Sequence, residues 1–154
     1  MLTRRQLLAL AALSLVTAPG AGCARAEPDE PPLYPNETPQ LRQLINKYAD
    51  HYQVPRSLVH RVAIRESRHR PDAINRPYYG LMQILPATAR SMGFRGQPND
   101  LLDAETNLKY AVRYLRGAWL VSDGSQDAAV RWYASGYYYE AKRRGLLRET
   151  GLVT

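Results

Sequence analysis

Between Leu41 and Ala63 apolar side chains recur chiefly at intervals of three and four, a period that gathers them on one face only in a helix. Leu41, Leu44, Ile45, Tyr48, Ala49 and Tyr52 form the first stripe, introduced by Thr38 as N-cap and Pro39 at the first helical position. Val54-Pro55 interrupts the pattern, and Leu58, Val59, Val62 and Ala63 begin a second stripe. Residues 69–79, with Pro71, Asn75 and Pro77, read as a loop. Pro86 opens a short helix ending near Gly93, and Asp103 caps a longer one with Leu108, Ala111, Val112, Leu115 and Trp119 facing in. Asp123-Gly124-Ser125 punctuates the chain before a last core helix carrying Ala128, Ala129, Trp132 and Tyr133, which ends at Gly136. Alternation with period two is confined to a short strand near Leu81–Leu85. The expected fold is mostly α. Tyr137–Thr154, with Lys142-Arg143-Arg144, reads either as a closing helix or as a partner-docking tail.

A chain of 154 residues supports one small core and not two, and a composition 45% hydrophobic and 23% charged suits a folded domain. Residues 1–26 read as a secretory signal: Arg4-Arg5, an apolar run from Leu7 to Val16 too short to span a bilayer, then small residues. Thr3-Arg4-Arg5-Gln6-Leu7-Leu8 resembles a twin-arginine signal, and an ordinary Sec signal with a chance double arginine fits equally. The single cysteine ends Gly20-Ala21-Gly22-Cys23, which resembles a lipoprotein box but has Gly20 where leucine is usual. Ala24-Arg25-Ala26 offers a competing cut. Periplasmic export is expected by either route, an outer-membrane lipid anchor only by way of Cys23, and a disulfide by neither. Residues 27–37, rich in proline and acid, read as an extended linker, which leaves 38–154 as the folded domain.

The formal charge of +7 falls to +4 once the signal removes three arginines and no acid. That mild excess suits an anionic polymer, and with no nucleic-acid motif present no nucleic-acid partner is expected.

Glu66 lies four residues after Val62, seven after Val59 and eight after Leu58, which carries its carboxylate onto the buried stripe near a helix C-terminus. Desolvation and the negative end of the helix both disfavour the charged form there, which raises the pKa toward that of a general acid. The same spacing also fits a helix-end glutamate that reaches out to solvent or bridges to Arg65 or Arg68.

Five ordered segments separate these readings. Glu66-Ser67 is followed by Pro71 and Ala73, then by Gly80-Leu81-Met82-Gln83-Ile84 with Pro86, Thr88 and Ala89. Leu102-Asp103-Ala104-Glu105-Thr106-Asn107 and Trp132-Tyr133-Ala134-Ser135-Gly136 complete the series. Together they resemble the soluble lytic transglycosylase (SLT) domain over roughly residues 40–140. The resemblance implies a small lysozyme-like helical domain with a substrate cleft. It implies cleavage of the β-1,4 bond between N-acetylmuramic acid and N-acetylglucosamine in peptidoglycan glycan strands.

In that family Glu66 would protonate the glycosidic oxygen and then, as base, activate the muramic acid's own C6 hydroxyl to close a 1,6-anhydro ring. Because that nucleophile belongs to the substrate, no second carboxylate is required, unlike the usual glycosidase pair. Asp72, six residues on, reads as a turn residue or surface charge. Gln83, in an apolar run, would hydrogen-bond sugar acetamido groups or else satisfy backbone. Tyr133 matches the family's cleft tyrosine, whose hydroxyl would meet Glu66 or substrate.

Gly80, Met82, Ser67 and Asn75 complete the expected substrate-binding set. Gly80 would permit close approach of chain to sugar or a positive-φ turn, and Met82 would line the cleft floor or pack in the core. Tyr78, Tyr79, Tyr137, Tyr138 and Tyr139 are divided between sugar stacking and packing in a way the sequence leaves open. Three departures bear on the subsites: Ala134 replaces the usual asparagine, Asn75 stands where serine is common, and the loop before Gly80 is about a residue short. His51, His60 and His69 lie nine residues apart, which is not ligand spacing on one helix face, so no metal or other cofactor is expected. A hydrolytic muramidase on the same scaffold and an inactive wall-binding module are the alternative functions. The domain is expected to act as a monomer.

Overall fold

The computed structural model describes residues 31–153, and the folded unit begins at Pro32. The proposed signal segment lies outside the described residues.

Helix α1 spans Pro39–His51, with Pro39 in its first turn and the Thr38 hydroxyl accepting from the Leu41 amide. Leu41, Ile45 and Ala49 carry its buried stripe, flanked by half-buried Leu44, Tyr48 and Tyr52. Helix α2, Arg56–Ser67, buries Leu58, Val59, Val62, Ala63 and Ser67. It stops because Arg68 and His69 both adopt left-handed backbone, which folds the chain back across the helix end.

The segment expected to be loop contains a two-stranded antiparallel hairpin, β1 (Ile74–Asn75) and β2 (Tyr78–Tyr79), in which Ile74 pairs with Tyr79 and Asn75 with Tyr78. The strand therefore lies just before the Gly-Leu-Met-Gln segment and not within Leu81–Leu85. Gly80 at φ +76 and Gln83 at φ +47 are incompatible with extended backbone, so residues 80–83 turn, and only Ile84 returns to bridge Tyr79.

Helix α3 (Pro86–Ser91) and a 3-10 turn (Pro98–Leu102) lead into the central helix α4, Ala104–Leu120, which Asp103 caps at the Thr106 amide. Leu108, Ala111, Val112, Leu115 and Ala118 are fully buried along α4, which packs against α1, α3, the 3-10 turn and α5 (Gln126–Ser135). Trp119 is half-buried at the margin of that core.

Residues after Gly136 form a closing helix, α6 (Tyr138–Arg144). Tyr137 precedes it, 1% exposed, with its ring over Gly117 and its hydroxyl donating to the Tyr114 carbonyl at 2.8 Å. Arg143 and Arg144 pair with Glu140, and Arg144 also with Asp123, so two of the three cations of α6 are engaged within the domain. Among the described residues no helix is long and apolar enough to cross a membrane.

The lead-in is part of the fold at its last residues. Glu37, placed in the linker by composition, is 7% exposed and takes a two-point ion pair from Arg42. Tyr34 donates its amide to Glu37 and sets its ring 5.3 Å from that of His69.

Candidate active site

Glu66 is the penultimate residue of α2, with a side chain 23% exposed. Burial raises its carboxyl above the ordinary range, and the Arg65 guanidinium, 3.6 Å away at Nε, offsets part of that rise. A cavity of about 460 Å³ lies against it, walled by Arg70, Asp72, Ala73, Ile74, Asn75 and Gln83. A second cavity of about 190 Å³ also touches Gln83 and is lined by Tyr78, Thr88, Tyr133 and Ala134 among others. Gln83 is the one residue common to the two linings. The adjoining hollows suit an extended ligand better than a compact one.

What shapes this surface is the turn at residues 80–83, and side chains from three other segments hold it. The Ser67 hydroxyl donates to the Leu81 carbonyl at 2.6 Å. Gln83, from within the turn, donates its amide to Ala73 O at 3.0 Å and to Gly80 O at 2.9 Å, which ties the turn to the segment after α2. Asn107, fully buried on α4, donates to the Tyr79 and Leu101 carbonyls at 2.9 and 2.8 Å and accepts from the Met82 amide at 3.0 Å. Tyr133, on α5, donates its hydroxyl to the Met82 carbonyl at 2.8 Å. Gly80 closes the set: a Cβ there would collide with Leu101 O and the Asn107 amide, so a positive φ and a close approach both demand glycine. The turn carries irregular backbone into a buried place, and these bonds satisfy the polar groups that a helix or sheet would otherwise satisfy.

The family model described as Transglycosylase SLT domain matches residues 43–145. The chain belongs to this family. No solved structure is a significant match to it. The five segments of the SLT resemblance are thus one physical unit, because each contributes a bond to the same turn. As an SLT domain the chain carries the scaffold of a transglycosylase that acts on peptidoglycan.

The geometry revises several expected contacts. Ser67 is 3% exposed and Met82 fully buried, so both serve the interior and neither side chain lines the two cavities. Gly80 admits protein atoms and not sugar, since Leu101 O and Asn107 fill the space beside it. Both N–H groups of the Gln83 amide go to backbone, which leaves its carbonyl oxygen as the group able to meet a ligand. Tyr133 bonds Met82, and burial followed by the nearby Glu66 charge keeps its hydroxyl protonated far above neutral pH. Asn75 is exposed on β1 at the Glu66 cavity.

The five undecided tyrosines separate. Tyr79 and Tyr137 are core, Tyr78 lines the smaller cavity, and Tyr138 and Tyr139 are exposed. Ala134, at the family's usual asparagine, is exposed on the wall of the smaller cavity. Asp72, read as a surface charge, is exposed but lies on the same cavity wall as Glu66. Asn107 is the site residue that the sequence segment Leu102–Asn107 contains without revealing its role. Its signal was a polar residue four before Ala111, on an otherwise apolar stripe. The histidines also differ from expectation. Nine-residue spacing rules out a shared helix face only if the helix continues, and α2 ends between His60 and His69. Their rings lie 5.6 Å apart.

Proposed function

We propose that this protein is an exported peptidoglycan lytic transglycosylase in which Glu66 is the sole acid and base. The observation that carries the reading is a half-buried carboxylate of raised pKa on the wall of the larger cavity, in a chain of the SLT family. Protonated Glu66 gives its proton to the oxygen between N-acetylmuramic acid and N-acetylglucosamine as that bond breaks. The resulting carboxylate takes the proton from the muramic C6 hydroxyl, whose oxygen bonds to C1 and closes the 1,6-anhydro ring. Glu66 ends protonated as it began, and no water is consumed.

The Gln83 carbonyl oxygen accepts from an acetamido N–H or a sugar hydroxyl, and Tyr78 offers a ring face to a sugar in the adjoining cavity. Asn75 reaches sugar from the hairpin side. The outer-membrane anchor at Cys23 belongs to this proposal as one of two processing routes.

One observation favours a second reading. Asp72 shares the cavity of Glu66, so a water held by Asp72 could replace the C6 hydroxyl and give muramidase-type hydrolysis. Digestion of purified peptidoglycan followed by mass analysis of the muropeptides separates the two, since anhydro ends weigh one water less than reducing ends. The proposal expects anhydro ends from the wild type and none above background from Glu66→Gln. Reducing ends would establish hydrolysis. Equal digestion by wild type and Glu66→Gln would leave a wall-binding module.

A further inference from the structure

On the side of α2 where residues 32–37 dock as an N-terminal strap, His60, His69 and Glu37 turn three donor atoms toward one point. His60 Nδ1 lies 3.3 Å from His69 Nε2 and 3.4 Å from Glu37 Oε1, and His69 Nε2 lies 4.0 Å from Glu37 Oε1. Bonds of about 2.0–2.2 Å at tetrahedral angles set donor atoms about 3.3–3.6 Å apart. Two edges of the triangle already have that length, and a small shift of the His69 ring closes the third. We propose that Glu37, His60 and His69 bind a divalent zinc-type cation that fastens the N-terminal strap to the end of α2.

The surroundings resemble those of a built site. Arg42 Nε and Nη2 donate to the two Glu37 oxygens at 3.0 and 2.7 Å, and the Tyr34 amide adds a third bond at 2.9 Å, so the carboxylate is fixed in orientation. His60 Nε2 faces Asn46 Oδ1 at 3.4 Å, the outer bond that selects Nδ1 as the ligating atom. His69 and the Glu37 carboxylate are shut from solvent, whereas the His60 side chain is 20% exposed and leaves room for a water as fourth ligand.

Without a cation the two imidazoles meet through a single long N–H···N bond of 3.3 Å. Two imidazole nitrogens face each other with one hydrogen between them, and His69 Nδ1 stays buried without a hydrogen-bond partner among the described residues whether or not a cation binds at Nε2. A dication that accepts both lone pairs resolves the facing nitrogens. Arg42 already balances the charge of Glu37, so affinity rests mainly on the two imidazoles. That favours zinc, and cobalt as its probe, over calcium or magnesium, which seek oxygen donors.

The site spans the strap (Glu37), mid-α2 (His60) and the left-handed turn (His69) three residues beyond Glu66. Asn36 adds a strap bond to the Arg68 carbonyl at 3.1 Å. Occupancy would therefore stiffen the base of the cleft without entering it.

The test is a Co²⁺ titration of the tag-free, chelator-stripped full chain carrying Cys23→Ser, which removes the one thiolate as a competing ligand. The expected result is one equivalent bound with the intense visible absorption of four-coordinate cobalt, displaced by Zn²⁺. Zinc in hundredfold excess over its Kd should raise Tm by about 5–10 °C. His60→Gln, at a partly exposed position, should weaken binding at least about tenfold, and His69→Gln likewise, while His51→Gln leaves it unchanged. Absence of a stoichiometric four-coordinate spectrum in the parent chain would overturn the proposal, as would binding that survives His60→Gln unaltered.

Discussion

Glu66 experiences two opposed influences, and burial is the larger. A carboxyl whose folded pKa is raised holds its proton more tightly in the native state than in the unfolded chain. Its ionisation therefore withdraws stability as pH climbs from the unfolded to the folded value. Glu66→Gln should accordingly be no less stable than wild type at pH 7, with any advantage vanishing below the ordinary glutamate pKa, as paired melts would show. The same substitution should reduce wall digestion by about 100-fold or more while circular dichroism stays unchanged. Since the group must enter the reaction protonated, kcat/KM should fall on the alkaline side through a pKa above that of an ordinary glutamate. An alkaline limb at the ordinary value would contradict the desolvation at this position.

At the scale of elements, the turn at 80–83 is the feature on which the cleft depends, and Asn107 is its most committed support. Replacing Asn107 by Asp would set a carboxylate against the Tyr79 and Leu101 carbonyls in a fully buried place. A loss of about 3 kcal/mol or more is expected in denaturant melts, with activity falling in parallel. Gly117 on α4 makes a different kind of demand. A Cβ there would strike the Tyr137 ring, so Gly117→Ala should destabilise by about 1–3 kcal/mol in spite of alanine's better helix propensity.

These elements also show how far the sequence could be read. Helix starts at Thr38-Pro39 and Asp103, and the stripes of α1, α2 and α4, were legible because capping and period are local. Glu66 was legible through its place on a stripe and the ordered segments around it. The hairpin at 74–79 escaped because Asn75 and Pro77 signal turn and are disfavoured in strands, and four residues of strand leave no period to detect. The inward service of Ser67 and Met82, and the tie from Tyr133 to Met82, depend on segments 14 to 51 residues apart. No local rule supplies such contacts.

Across the whole molecule, the folded unit reaches beyond its helices to include the strap at 32–37. The Glu37 side chain is wholly buried against Arg42, so a chain that begins at Thr38 loses a buried ion pair and uncovers His69. It should melt about 5 °C or more below one that begins at Pro32, which a pair of thermal scans would show.

The whole molecule also frames the chemistry, because a cavity holding Glu66 and Asp72 can in principle hand the sugar either its own hydroxyl or water. Digestion of peptidoglycan in water enriched in oxygen-18, followed by mass spectrometry of the released muropeptides, distinguishes these directly. Transfer by Glu66 alone predicts anhydro products free of the heavy isotope at C1, with yield retained in Asp72→Asn. Reducing ends carrying one oxygen-18, formed by the wild type and abolished in Asp72→Asn, would contradict it.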